Sequence, residues 1–540
     1  MMFGKKINLT LYCLVLSVYT VAAFHQPFFR YLIQHVDGGA NAAVLTISAL
    51  VLLLAVDFLF YYLLVFLGRG VGKALLAFTL LGNAAMLYFV NTYQVFITDE
   101  MMGNAINTQY SEASSFFSLA FCLYLLLLGI LPSVYVLGRK VDYGTWKGFF
   151  SRVGVSLGLV LAVVFGNMKN WPWIDRHSTE LGALVAPWSY IVNTIRYEQG
   201  VRAAKVEEIP LPDVTALSPS RDVCVLMIGE SARRDHFSLY GYERETNPYT
   251  VQDGVTALPA DASATYTRAG VKAILEYADT PKLYEILPNY LQRAGVDVSW
   301  RTSNWGEPPV HTEKYWHKKE LKERFPQADD RYDGILLEGL REDILASQAD
   351  KVFVVIHAYT NHGPSYFSNY PPEFEVFKPV NPSVEMAKVS QEELFNAYDN
   401  SVVYTDYLIH QVIEMLRSIP DRRGCVLFVS DHGESLGENN LYMHGVPMAL
   451  APREQIEIPF VVWAPDQPVK PLEKVGQHHV FHSVLRFFGA VTPVFDEEMC
   501  IFAPGLRKHC YGTCSDSRET ERWKVNPVQP PGGHAPGHRR

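Results

Sequence analysis

VLFVSDHGESLGENNLYMHG, residues 426–445, decides the architecture. It opens on an apolar run with the character of a buried strand, and a dense polar cluster follows at once. Asp431 and His432 stand where that strand ends, which is where an open parallel sheet gathers its ligand-binding groups. Two other segments repeat the pattern. VLMIGESARRDHFSLYGYERETNP (225–248) puts Glu230 and Ser231 directly after an apolar run, and VVIHAYTNHGPSYF (354–367) carries His362 in a Gly-flanked loop. Short β-branched runs at 223–228, 296–300, 351–356, 425–429 and 458–463 alternate with helical patterns such as 280–294 and 391–418. This alternation predicts an α/β domain with a largely parallel sheet, helices on both faces, and the polar tips converging on one edge.

Together these tips offer specific chemistry. Glu230, Asp431 and His432 make an oxygen and nitrogen shell suited to zinc, with one position left for a hydroxyl. A metal-bound hydroxyl loses its proton more easily and becomes a nucleophile. The candidates are Ser231 and, within ADASATYTRAGVKAIL (260–275), Ser263, Thr265 and Thr267; spacing leaves all four open. A hydroxyl just before a helix also gains from the free N–H groups there, which favour phosphate. His362 and His444 could stabilise charge on a phosphoryl group or protonate a leaving oxygen. Alone, an Asp-His pair after a strand is usually a turn or helix cap. Three converging tips argue for a site, whereas Asp235 and His236 read as structural.

The first third of the chain is a different material. Residues 1–170 hold 10 basic and 6 acidic side chains, against 37 and 50 in the rest, which excludes one uniform soluble protein. A net charge of −9 argues against wholesale nucleic-acid binding. Apolar runs near 8–25, 43–67, 73–93, 115–137 and 149–168 predict five transmembrane helices. Lys5, Lys6, Arg69, Lys73, Arg139, Lys140, Lys147 and Arg152 fall in alternate loops, which places the amino terminus in the cytoplasm and everything after the fifth span outside. Residues 171–220 read as an interfacial connector and linker, with Trp171, Trp173 and Trp188 at headgroup level and Pro172 and Pro187 as breaks. A soluble domain is expected over 221–514 and a disordered Pro/Gly-rich tail over 515–540. Cys13 and Cys122 lie in spans, and Cys224 and Cys425, in apolar strand-like runs, read as buried thiols; Cys500, Cys510 and Cys514 cluster where a disulfide is permitted.

GES at 229–231, NHGP at 361–364, NAYDNSVVYTD at 396–406 and SDHGESLGENNLYMHG at 430–445 resemble the phosphoethanolamine transferases of bacterial lipopolysaccharide, including the lipid A and mobile colistin-resistance enzymes. The resemblance implies a five-span inner-membrane anchor carrying a periplasmic, alkaline-phosphatase-like α/β domain. It implies zinc held by Glu230, Asp431 and His432, phosphate-side histidines at His362 and His444, and a threonine nucleophile that falls best on Thr267, with Thr265 next. NAINTQYSEA (104–113) fits the family's N-x-x-x-T-x-x-x-E pattern, which makes Asn104, Thr108 and Glu112 lipid-substrate contacts. The implied partners are phosphatidylethanolamine as donor, lipid A or another glycolipid or glycan as acceptor, and the membrane. The chain is expected to act as a monomer.

Two departures stand out. The stretches where many lipid A enzymes carry disulfides contain no Cys here, and the stretch after Trp300 lacks the family's frequent lysine, with Glu307 and Pro308 in that neighbourhood. They bear on the acceptor, so a core sugar or a periplasmic glucan stays open. A hydrolase of the same superfamily is the first alternative. Its sulfatase form needs a C/S-x-P-x-R context, which neither Ser231 nor Thr267 provides. A membrane sensor with a dead phosphatase-like domain would not need the intact set of acids, hydroxyls and imidazoles.

Overall fold

The computed structural model describes residues 6–36, 40–107, 116–167, 170, 173–174, 177–204 and 208–504. Thr108, Glu112, Trp171, Pro172, Cys510, Cys514 and the tail at 515–540 lie outside them.

The amino-terminal part is helical: α1 (Leu9–Phe24), α2 (Gln26–His35), α3 (Ala40–Tyr93), α4 (Asp99–Asn107), α5 (Leu119–Gly138) and α6 (Trp146–Gly166), followed by α7 (Trp188–Ala204) in the connector. Three of these are long and apolar enough to cross a membrane, or four if α1 and α2, bent by 60°, count as one broken span. The sequence predicts five. The difference lies in α3, which contains two of the expected spans and is interrupted at Arg69, where φ is 50°. The chain turns so tightly there that a Cβ on Gly72 would lie 2.0 Å from the Leu64 carbonyl oxygen, so only glycine fits. Lys73 closes the next contact, donating to the Leu137 and Arg139 carbonyls at the end of α5, each at 2.8 Å.

The second part is built on eight strands: β1 (Asp222–Gly229), β2 (Thr256–Asp261), β3 (Asp297–Thr302), β4 (Lys314–His317), β5 (Lys351–His357), β6 (Arg423–Ser430), β7 (Glu457–Trp463) and β8 (Val475–Gly476). Their order across the sheet is β8-β2-β7-β6-β1-β5-β3-β4, and β7 alone runs antiparallel to its neighbours. β1 and β5 are buried along their full length, which is why they read as unbroken apolar runs. The two faces still separate by period two. Val223, Val225 and Met227 join the core under α9 (Gln391–Arg417), while Cys224, Leu226 and Ile228 join the opposite core with α8 (Thr267–Leu275) and α10 (His479–Phe488). Because β6, β1, β5 and β3 are adjacent and parallel, all four carboxyl ends open on one edge.

One expected element differs. The helix predicted over 280–294 forms only as Leu287–Arg293, because Pro288, which lacks an N–H, is tolerated in a first turn but not in a helix interior, and Tyr284 bridges to Ile209 instead. Cys500 is buried, and no disulfide occurs among the described residues.

Candidate metal centre and active site

Glu230 follows β1, and Asp431 and His432 follow β6; all three are essentially without solvent exposure. His432 Nε2 lies 3.3 Å from Glu230 Oε1 and 3.3 Å from Asp431 Oδ2. Thr267 Oγ1 joins them, 3.3 Å from Glu230 Oε2 and 3.4 Å from His432 Nε2. Ligands about 2.1 Å from a tetrahedral ion sit roughly 3.4 Å from one another, so these spacings suit a zinc-sized cation. The polar bookkeeping agrees: Asp431 Oδ2 is buried with no hydrogen-bond partner.

Each group is oriented from behind. The His432 Nδ1–H donates to the Gly433 carbonyl at 2.9 Å, which fixes the tautomer and leaves Nε2 facing the cluster. Asp431 Oδ1 accepts from the Ser231 and His432 backbone N–H groups at 3.1 and 2.8 Å, so Oδ2 is its outward oxygen. Asn304, just past β3, donates to Glu230 Oε2 at 2.7 Å and to the Ala358 carbonyl at 3.0 Å. Gln477 Nε2 donates to the Ser430 and Asp431 carbonyls at 3.0 and 2.6 Å.

Thr267 begins α8, which sits unusually close to the end of β6. A Cβ on Gly270 would lie 2.2 Å from the Asp431 carbonyl oxygen, so the missing side chain lets the helix approach. The other hydroxyls are placed differently. Thr265 Oγ1 donates to the Val446 carbonyl at 2.6 Å and Ser263 is exposed. Ser231 Oγ donates to Glu230 Oε1 at 2.8 Å and lies 3.4 Å from His444 Nδ1.

His362 and His444 are buried close by. Their rings are 5.5 Å apart, and His444 lies 4.3 Å from the ring of His432. His444 Nδ1 meets Glu434 Oε1 at 3.2 Å, and Glu434 is held in turn by the Tyr366 hydroxyl at 3.0 Å. Glu230, His362 and His444 form a second group whose ligand atoms all lie within 4.8 Å of one another. Asn104 on α4 reaches the same edge: its Nδ2 lies 4.0 Å from where a Cβ on Gly445 would be.

The electrostatics follow from burial. Asp431 is pushed well above the carboxylate range by desolvation and then by the charge of Glu230. Glu230 moves the other way. Burial opposes its ionisation, but His432, His362, His444 and the Asn304 hydrogen bond together hold its carboxyl well below its ordinary value. Burial lowers His432 to about 3, with His444 adding to the effect, so it is a neutral ligand. Two carboxylates in one buried site resist joint ionisation unless a cation joins them.

The motif NAYDNSVVYTD falls on α9 and supports the site from outside. The Tyr398 hydroxyl donates to the Ser231 carbonyl at 2.7 Å and accepts from the Arg233 N–H at 2.8 Å. Asp399 accepts from His236 Nδ1 at 2.6 Å, and Asp235 pairs with Arg233 at 2.8 Å, so the Asp235–His236 pair belongs to this scaffold. Asn304, Glu434 and Gln477 are the residues that sequence reasoning missed. Glu434 lay in plain view within HGES, but nothing in spacing alone links Asn304 to Glu230.

Residues 222–495 match the family model described as Sulfatase, and residues 53–200 match the one described as Phosphoethanolamine transferase EptA/EptB. The chain is 33% identical over 494 residues to Phosphoethanolamine transferase EptA of Helicobacter pylori, covering 88% of this chain and 92% of the relative. It is 33% identical over 430 residues to Phosphatidylethanolamine transferase Mcr-1 of Escherichia coli, covering 74% and 79%. In fold it is similar to the integral membrane lipooligosaccharide phosphoethanolamine transferase A of Neisseria meningitidis, with a TM-score of 0.83 at 24% identity, covering 92% of this chain and 99% of that one. A helical membrane region joined to an alkaline-phosphatase-like α/β domain, with relatives matched over most of their length, places this chain in the phosphoethanolamine transferase family.

Proposed function

We propose that this enzyme moves phosphoethanolamine from phosphatidylethanolamine to lipid A or a related lipopolysaccharide acceptor through a covalent intermediate on Thr267. The observation that carries the reading is Thr267 Oγ1 within 3.4 Å of both Glu230 and His432, at the start of a helix. The name of one relative, Phosphatidylethanolamine transferase Mcr-1, supports the choice of donor. Glu230, Asp431, His432 and Thr267 would hold zinc, which lowers the proton affinity of a bound hydroxyl and stabilises phosphoryl charge.

Thr267 gives its hydroxyl proton to solvent and attacks phosphorus, the bond to the diacylglycerol oxygen breaks, and that oxygen takes a proton. His362 or His444 would supply it, each oriented through Nδ1, which meets the Gly363 carbonyl and Glu434 respectively. In the second half, a phosphate or hydroxyl of the acceptor attacks the phosphothreonine and the Thr267 oxygen leaves. Asn104, Thr108 and Glu112 would contact the donor lipid, with His362 and His444 on its phosphate. Replacing anionic surface with an added amine would weaken the docking of cationic peptides.

The same reading divides the chain into a membrane domain (1–170), a connector and linker (171–220), a periplasmic catalytic domain (221–514) and a tail (515–540). It counts five crossings of the inner membrane: α3 at 54 residues would span ~80 Å, well over twice a bilayer core, so Arg69 marks a turn between two crossings. The test is the mass of lipid A, core oligosaccharide and glucans from cells expressing the wild type or Thr267→Ala. A phosphoethanolamine on one acceptor, absent with the variant, is expected. Free phosphoethanolamine with every glycan unmodified would establish the hydrolase instead.

A further inference from the structure

The loop after β3, SNWGEPPV (303–310), is pinned at several points and carries one large ring, Trp305, that is only half-buried. Ser303 Oγ donates to Asp333 at 2.7 Å, Asn304 binds Glu230, and the Tyr315 hydroxyl donates to Glu307. A Cβ on Gly306 would lie 3.5 Å from Thr267 Cγ2, so the loop rests directly on the start of α8. Trp305 therefore sits one residue from that contact. Its ring lies 5.7 Å from Tyr359 and 6.5 Å from His362, and Tyr359 stacks on His362 at 4.6 Å with planes 14° apart. An aromatic wall thus runs from the loop to the phosphate-side histidines.

We infer that Trp305, with Tyr359 behind it, recognises the primary ammonium of the phosphoethanolamine group through its ring face. The inference rests on the transferase reading and names the residue that selects the transferred group. By standard bond lengths the ammonium lies on the order of 5 Å from the phosphorus, and the loop that carries Trp305 meets the Thr267 end of α8 at the next residue, Gly306. An indole face is the strongest aromatic partner for a cation. The loop carries no cation to compete: it contains Glu307 and no Lys or Arg, and the nearby Arg268 guanidinium is turned to the Tyr197 hydroxyl at 3.0 Å. Holding the loop rigid at Asn304 and Glu307 means the ring pays little entropy on binding.

The test compares two small inhibitors of diacylglycerol release from phosphatidylethanolamine by the metal-loaded, full-length enzyme. O-phosphoethanolamine carries the ammonium, and ethyl phosphate has nearly the same shape without it. The wild type is expected to prefer the first by about five-fold, and Trp305→Leu to abolish that preference while leaving inhibition by ethyl phosphate unchanged. Trp305→Phe keeps a ring and should retain at least half of the preference, which separates recognition from loss of packing. No preference in the wild type, or equal weakening of both inhibitors in Trp305→Leu, overturns the assignment. So does a variant with normal inhibition and diacylglycerol release but slower transfer to lipid A, since the ring would then contact the acceptor. A wild type that releases no diacylglycerol from the lipid would defeat the transferase reading itself.

Discussion

Asn304 Nδ2 bridges Glu230 Oε2 and the Ala358 carbonyl, at 2.7 and 3.0 Å, and so ties the carboxylate after β1 to the backbone after β5. Asn304 is fixed in its own turn, its N–H donating to Thr302 Oγ1 at 2.9 Å while that hydroxyl donates to its carbonyl at 2.8 Å. Partners behind a metal ligand typically change affinity by about 10- to 100-fold. Asn304→Ala should therefore weaken zinc binding within that range, measured by competition with a chromogenic chelator. Affinity equal to the wild type would show that Glu230 needs no such anchor.

Metal removal should act on both activity and stability. Without a cation, Asp431 is pushed towards its neutral form by burial and by the charge of Glu230. A chelator should abolish diacylglycerol release and lower the thermal midpoint. Zinc should restore both, adding about 4 kcal/mol at a free concentration a thousand times its dissociation constant. A chelated enzyme that keeps its midpoint but loses activity would mean that the ion binds the substrate rather than the fold.

Gly270 tests the placement of the nucleophile. An added methyl would meet the Asp431 carbonyl oxygen at 2.2 Å, a backbone atom that cannot swing aside. Overpacking of this kind costs roughly 1–3 kcal/mol, and here relief requires α8 to move away from β6. Gly270→Ala should fold with reduced stability and lose at least ten-fold in labelled phosphothreonine formation. Wild-type labelling would show that Thr267 does not depend on this close approach.

The central sheet was legible because strands covered on both faces must be apolar throughout, as in β1, β5 and β6. The edges were not. β2 reads TALPAD and β4 reads KYWH; both are partly exposed, so no apolar run marks them. The ligand triad announced itself as polar residues where a core strand should continue. The choice of hydroxyl did not, since it depends on Thr265 turning to Val446 while α8 begins at Thr267. Asn104 could be placed near Gly445, whereas Thr108 and Glu112 fall outside the described residues. The missing lysine also has a local account. Glu307 is engaged by Tyr315 and His357, and the large ring of its loop, Trp305, stays half-buried.

Glu276 gives a pH signature on the helix that carries Thr267. It caps the far end of α8, and its Oε2 pairs with Lys272 at 2.6 Å. Burial raises its carboxyl from 4.5 to about 7 despite that lysine, with Asp279 adding to the rise. The folded state therefore holds the proton more tightly than the unfolded one. The stabilisation is fully present below about pH 4.5 and is lost as the pH climbs through 7. Glu276→Gln should flatten this part of the stability profile, gaining about 1 kcal/mol on the wild type between pH 5 and pH 8 after allowance for solvent screening of the ion pair. Denaturant melts at pH 5, 6, 7 and 8 measure it. A difference between wild type and variant that stays constant with pH would assign the slope elsewhere, with Asp406 the next group to replace, since burial raises its carboxyl too.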